Sequence, residues 1–168
     1  MTVPTHSDLV QVAAKWLSNK YPVVVTEITT VTNEQPDAIG FQAWGKTALI
    51  ECKASHLDFK SDAKKIFRMH PYLGMGSLRW YLCPTDVIQP SELPQGWGLL
   101  YFNGKRVSEI VKPVHFDARN FIAENMVLLS TIRRISVPEM KGISIKVYTT
   151  ETKCRASLFV NTEKEPIK

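Results

Sequence analysis

The tract from Asp37 to Lys53 constrains the fold more than any other part of the chain. Asp37-Ala38-Ile39-Gly40-Phe41 and Thr47-Ala48-Leu49-Ile50-Glu51-Cys52-Lys53 are two strand-like runs joined by Trp44-Gly45-Lys46, the pattern of a hairpin. Strand side chains alternate, so Ile50, Cys52 and Ala54 are expected on an apolar core side while Glu51 and Lys53 share the opposite, chemical face. Ser55-x-x-Asp58 then caps a helix whose core stripe is expected at Phe59, Ala63, Ile66 and Phe67. Lys60, Lys64, Lys65 and Arg68 fall on its outer side, and Pro71 and Gly74 end the pattern.

Elsewhere, Leu9, Val12, Ala13, Trp16 and Leu17 give a helix over 8–21 behind the cap Thr5-x-x-Asp8, and Pro22 stops it. Val23 to Ile28 is a β-branched strand, followed by the polar breaker Thr32-Asn33-Glu34-Gln35-Pro36. Further strands are expected at 79–83, 97–102 and 107–111, then a helix over 117–135 through Phe121, Ile122, Leu128, Leu129, Ile132 and Ile135. Ile143 to Val147 and Cys154 to Leu158 read as a terminal hairpin. This order predicts an α/β fold, a mixed central β-sheet flanked by helices, with a C-terminal helix and β-hairpin. With 168 residues, 44% of them hydrophobic, one domain is expected: a core over 1–136, with 137–168 as its C-terminal extension.

Composition narrows the function. No run approaches the ~20 apolar residues of a membrane span, and Met1-Thr2-Val3-Pro4 lacks a signal-peptide layout, so a cytoplasmic protein without membrane partners is expected. Cys52, Cys83 and Cys154 lie far apart without C-x-x-C spacing, which argues against a disulfide framework or structural zinc. His6, His56, His70 and His115 are scattered, the paired glycines lack P-loop spacing, and no G-x-S-x-G elbow is present. The net charge of +5 and pI of about 9.1 favour anionic partners without identifying them.

The hairpin can bring Asp37 beside Glu51 at the sheet rim. Two such carboxylates repel, and a hard divalent cation with oxygen ligands removes the conflict, which makes Mg²⁺ the natural candidate. Lys53, two residues beyond Glu51, could stabilise charge developing at a phosphate. Solvated strands also carry Glu-x-Lys. What sets this tract apart is the combination of Pro36-Asp37 entering one strand, the triplet ending its partner, and a basic helix directly after.

Pro36-Asp37, Glu51-x-Lys53 and their surroundings resemble the PD-(D/E)xK nuclease superfamily, in particular small stand-alone members carried by phages and other mobile elements. The resemblance runs through Ala54 to Phe59, Asp62-x-Lys64-Lys65-x-x-Arg68, Gly74-Met75-Gly76, Arg79 to Pro84 and Leu93 to Tyr101, covering residues 5–115 or so. It implies a restriction-endonuclease-like core, with Asp37, Glu51 and the main-chain carbonyl of Cys52 holding Mg²⁺ or Mn²⁺ and Lys53 assisting attack. Family members often carry a further acid near the start of the fold; Glu27 is the first choice here and Asp8 the reserve. The implied activity is phosphodiester hydrolysis in nucleic acid, as a DNA endonuclease, in a setting that includes a phage-infected bacterial host. Lys60, Lys64, Lys65 and Arg68 would bind phosphates or else form a solvated helix face, and sequence recognition would come from a homodimer or a protein partner. The alternative is a non-catalytic nucleic-acid-binding or regulatory module that retains the fold.

Overall fold

The computed structural model describes residues 4–135 together with Val147 and Tyr148. Helix α1 (His6–Ser18) is followed by β1 (Val23–Thr26), β2 (Ala38–Gln42) and β3 (Lys46–Cys52). Two short helices, α2 (His56–Asp62) and α3 (Ile66–Met69), lead into β4 (Leu78–Pro84), β5 (Gly98–Phe102) and β6 (Val107–Val111). Helix α4 (Phe121–Ile135) and a two-residue edge strand, β7 (Val147–Tyr148), complete the order. The strands lie side by side as β6-β5-β4-β3-β2-β1-β7 in one open sheet. β3, β4 and β5 are mutually parallel and the other pairings are antiparallel. The α/β class is therefore observed. Most of the terminal hairpin expected at 143–158 lies outside the described residues.

Both faces of the sheet are covered, which explains the near-continuous apolar runs of the parallel strands. On one face Leu9, Val10, Ala13, Ala14 and Leu17 of α1 bury against Val24, Ala38, Ile50, Cys52, Leu82 and Leu100. The capping box starts this helix: Thr5 N–H donates to Asp8 Oδ2 at 2.8 Å, and Asp8 N–H donates to Thr5 Oγ1 at 3.2 Å. Gly40 lets the helix end approach, because a Cβ there would stand 2.7 Å from the Tyr21 ring. On the other face Val25, Ile39, Leu49, Tyr81 and Leu99 pack with Phe59, Ala123 and Val127.

Two helical expectations change. The single helix expected after Ser55 breaks at 63–65, where Lys65 adopts ψ 140° and starts α3; Ile66, expected in the core, is 54% exposed, while Phe59 and Phe67 are buried. In α4 the buried positions are Ala123, Glu124, Val127 and Thr131, while Phe121, Ile122, Leu129 and Ile132 are exposed. Glu124 is drawn inward because it accepts from Arg119 Nε at 3.0 Å, Thr47 Oγ1 at 2.8 Å and Gly76 N–H at 2.9 Å. Polar satisfaction therefore sets this helix's rotation, against its apolar pattern.

Candidate active site

The β2–β3 register pairs Ala38 with Ile50, so Asp37, one residue before β2, falls opposite Glu51 at the carboxyl end of the parallel strands. Asp37 Oδ2 accepts the Cys52 N–H at 2.7 Å, and Oδ1 faces His6 Nε2 at 3.4 Å, a contact that raises the His6 pKa. Lys53 Nζ lies 3.3 Å from Glu51 Oε2 and 3.4 Å from Asp62 Oδ1. The acid, acid and lysine of the sequence motif are thus brought together.

They are not on an open face. Glu51 is 2% exposed and Lys53 4%, because α2 and α3 fold over that side of β3. The centre of the cover is Arg68, which the sequence placed on the outer side of a basic helix and which is instead buried; the break at 63–65 turns it inward. Its Nη2 meets Glu51 Oε1 at 2.8 Å, its Nε meets Asp62 Oδ2 at 2.8 Å, and its Nη1 pairs with Glu34 Oε1. Glu34 Oε2 also accepts the Met75 N–H at 2.6 Å, Tyr81 Oη donates to Asp62 Oδ2 at 2.9 Å, and Lys65 Nζ reaches Asp62 Oδ1 at 2.7 Å. Glu34, Glu51 and Asp62 are thereby set against Lys53, Lys65 and Arg68, a network balanced in charge in which Glu51 Oε1 and Asp62 Oδ1 meet their cations as ion pairs without a hydrogen bond. Arg68 is also held over the Trp97 ring, 4.9 Å from its centroid.

Burial dominates the titration of Glu51. It pushes the carboxyl up to about 7 against the pull of Arg68, with Asp37 adding to the rise and Lys53 opposing it. Burial works the same way on Asp62, but Arg68 and Lys53 overcome it and hold that carboxyl well below the usual range. The Cys52 thiol, buried on the α1 side as expected, is pushed far up and is no nucleophile.

The remaining candidates separate clearly. Glu27 is an exposed residue at φ 50°, which ends β1 two residues sooner than the β-branched run suggests; its N–H donates to the Asp37 carbonyl at 3.2 Å. Asp8 is occupied by the α1 cap. Lys60 pairs with Glu92 at 2.9 Å, and exposed Lys64 stands next to the paired Lys65. Asp62, from the Asp62-x-Lys64-Lys65-x-x-Arg68 tract, and Glu34, from the polar breaker, are the acids that complete the network. No periodic signal marks them: Glu34 meets Arg68 across 34 residues, and Asp62 meets it only because the helix breaks between them.

The donor chemistry suits a hard divalent ion. Two carboxylates stand opposite each other, Asp37 raises the cost of ionising Glu51, and Mg²⁺ is commonly held by one or two protein carboxylates plus water and phosphate oxygens. Among the described residues no group of three or more His, Cys, Asp or Glu could hold an ion, so Asp37 and Glu51 would be the side-chain donors. Glu51 would have to share or release an oxygen now on Arg68 or Lys53.

No family model and no curated protein matches the chain. One solved structure does: the SPO1766 protein of unknown function from Silicibacter pomeroyi. It superposes with a TM-score of 0.62 at 21% identity, covering 85% of this chain and 99% of that one. The similarity establishes a shared fold.

Proposed function

We propose that the chain is a divalent-metal-dependent phosphodiesterase acting on nucleic acid, a DNA endonuclease, with Asp37, Glu51 and Lys53 as its catalytic set. The supporting observation is the meeting of these residues: Asp37 opposite Glu51 in register and the Lys53 ammonium 3.3 Å from Glu51. Their position at the carboxyl ends of parallel strands is where open α/β sheets commonly bind ligands. A bound Mg²⁺ or Mn²⁺ would polarise the phosphate and lower the pKa of the attacking water. Asp37 and Glu51 would carry the ion, and Lys53 would hold its positive charge toward the phosphate as negative charge develops there. Asp37 is itself fixed by the Cys52 N–H, which keeps the carboxylate from rotating away.

One observation favours a second reading, a nucleic-acid-binding or regulatory module without turnover: both Glu51 oxygens already face cations of the chain, Arg68 and Lys53. The deciding experiment is a cleavage panel of duplex, single-stranded and branched DNA and of RNA with Mg²⁺, Mn²⁺ or EDTA. Metal-dependent cutting lost in Asp37→Asn supports the nuclease. Binding to nucleic acid without cutting under any divalent ion supports the module.

A further inference from the structure

The cations of α2 and α3 are largely consumed by carboxylates, but the opposite side of the sheet carries cations that are not. A trough of about 750 Å³ runs between α1 and the β5–β6 hairpin, with Pro4 and Asp8 at its mouth and Val12, Lys15 and Phe102 farther along. A second hollow of about 290 Å³ shares Val12, Lys15 and Phe102 with it and continues to Trp16, Lys105 and Arg106. The two form one channel, with an apolar floor and basic walls. His6, which lies between the lining residues Pro4 and Asp8 in the chain, places its Nε2 3.4 Å from Asp37 Oδ1. Phe102 pairs with Pro84 at the end of parallel β4 and β5, so the channel lies at the same end of the sheet as Glu51 and Lys53.

Lys15, Lys105 and Arg106 form no ion pair with any carboxylate among the described residues. The hairpin tip that presents two of them is braced by a side chain: Asn103 Oδ1 accepts the N–H groups of Lys105 at 3.1 Å and Arg106 at 3.0 Å. The carboxylate in the lining, Asp8, is tied to the Thr5 N–H and hydroxyl. Unpaired cations above an apolar, aromatic floor suit a polyanion that exposes flat apolar rings. A duplex hides its bases in the stack and would use only the walls, whereas a single strand uses walls and floor together.

We infer that this channel binds a single strand of nucleic acid and leads it toward Asp37 at the rim of the sheet. The inference rests on the nuclease reading for its destination, but the binding it describes can be measured without turnover. The probe is a fluorescein-labelled oligothymidylate of about twelve nucleotides, followed by anisotropy in Ca²⁺ over a salt series. Lys15→Ala/Arg106→Ala removes one cation from each wall. Lys46→Ala/Lys112→Ala removes the same charge at the opposite end of the sheet.

The wall variant should bind roughly tenfold more weakly at moderate salt. Its slope of log affinity against log salt should be shallower by about 1.4, from roughly 0.7 per lost single-strand phosphate contact, while the distal variant keeps the wild-type slope. Equal losses in the two variants, or an unlabelled duplex of the same length competing as well as the single strand, would overturn the inference. Wall-dependent binding by a wild type that never cuts keeps the channel and removes the nuclease. Undiminished single-strand cutting with unchanged KM in the wall variant removes the channel and keeps the nuclease.

Discussion

Arg68 Nη2 stands 2.8 Å from Glu51 Oε1, with the two side chains 1% and 2% exposed. The guanidinium fork spans Glu34, Glu51 and Asp62 at once, a geometry a lysine ammonium cannot reproduce. Arg68 therefore joins the polar breaker before β2, the end of β3 and the helical cover into one unit. The proposed catalytic carboxylate is a member of that unit, so site geometry and fold stability are coupled through one side chain.

Removing the guanidinium would strand buried carboxylates. Arg68→Met should destabilise the fold by about 3–5 kcal/mol, the range for breaking a buried ion pair from one side, and Arg68→Lys should recover only part of it. Urea unfolding followed by circular dichroism measures this. A loss below about 1 kcal/mol in Arg68→Met would mean that the network does not hold the cover in place.

The network also gives stability two opposite dependences on pH. Between about 4.5 and 7 the folded Glu51 holds a proton that the unfolded chain has released, so stability falls as pH rises through that window. Asp62 does the reverse. Its folded carboxyl stays ionised where the unfolded one, at about 3.8, takes up a proton, so its contribution is present above that value and is lost as pH falls below it. Unfolding free energies across pH should show Glu51→Gln flattening the neutral limb and Asp62→Asn flattening the acid limb. Parallel wild-type and variant curves would remove those assignments.

What could be read from the chain follows from which forces leave a local trace. The pairing of Asp37 with Glu51 was legible because alternation over 37–53 fixes both face and register, and α1 was legible because Thr5 and Asp8 cap it within one turn. The burial of Arg68 was not, because its partners Glu34 and Glu51 are distant in sequence and its own segment looks like a continuous basic helix. The same blindness affected α4, where Glu124 and Thr131 point inward to satisfy polar groups and leave Ile122 77% exposed. Trp44, in the turn between β2 and β3, is 96% exposed at φ 65°, an outcome that the turn pattern alone does not announce. Reading Glu51 and Lys53 as an open chemical face failed for the converse reason: alternation reports which side a residue faces, not what folds over that side.

Divalent ions should stabilise the fold through the proposed donors. At one hundred times its dissociation constant, an ion bound only by the folded state adds about 2.7 kcal/mol. For a chain of this size that corresponds to a Tm rise of roughly 5–10 °C. A Mn²⁺ titration by thermal melt should show this rise in wild type and lose it in Asp37→Asn/Glu51→Gln. Equal rises in both proteins would place the ion elsewhere.

Lys53 separates an enzyme from a binding module most sharply, since its ammonium is the group proposed to act on charge that exists only in the transition state. Lys53→Met keeps most of the aliphatic stem and leaves Glu51 paired with Arg68 and Asp62 paired with Arg68 and Lys65. Some stability will be lost, because two buried carboxylates lose a partner, so rates must be compared well below the variant's melting temperature. Under that condition single-turnover cleavage at saturating protein and Mg²⁺ should fall by roughly 10²- to 10³-fold, the effect of losing one preorganised electrostatic donor. Affinity measured in Ca²⁺ should change little, since ground-state binding does not depend on that charge. Equal losses of rate and affinity would make Lys53 a structural partner of Glu51 and Asp62. A wild-type rate in the variant would remove it from the mechanism, leaving Asp37 and Glu51 to act without a lysine.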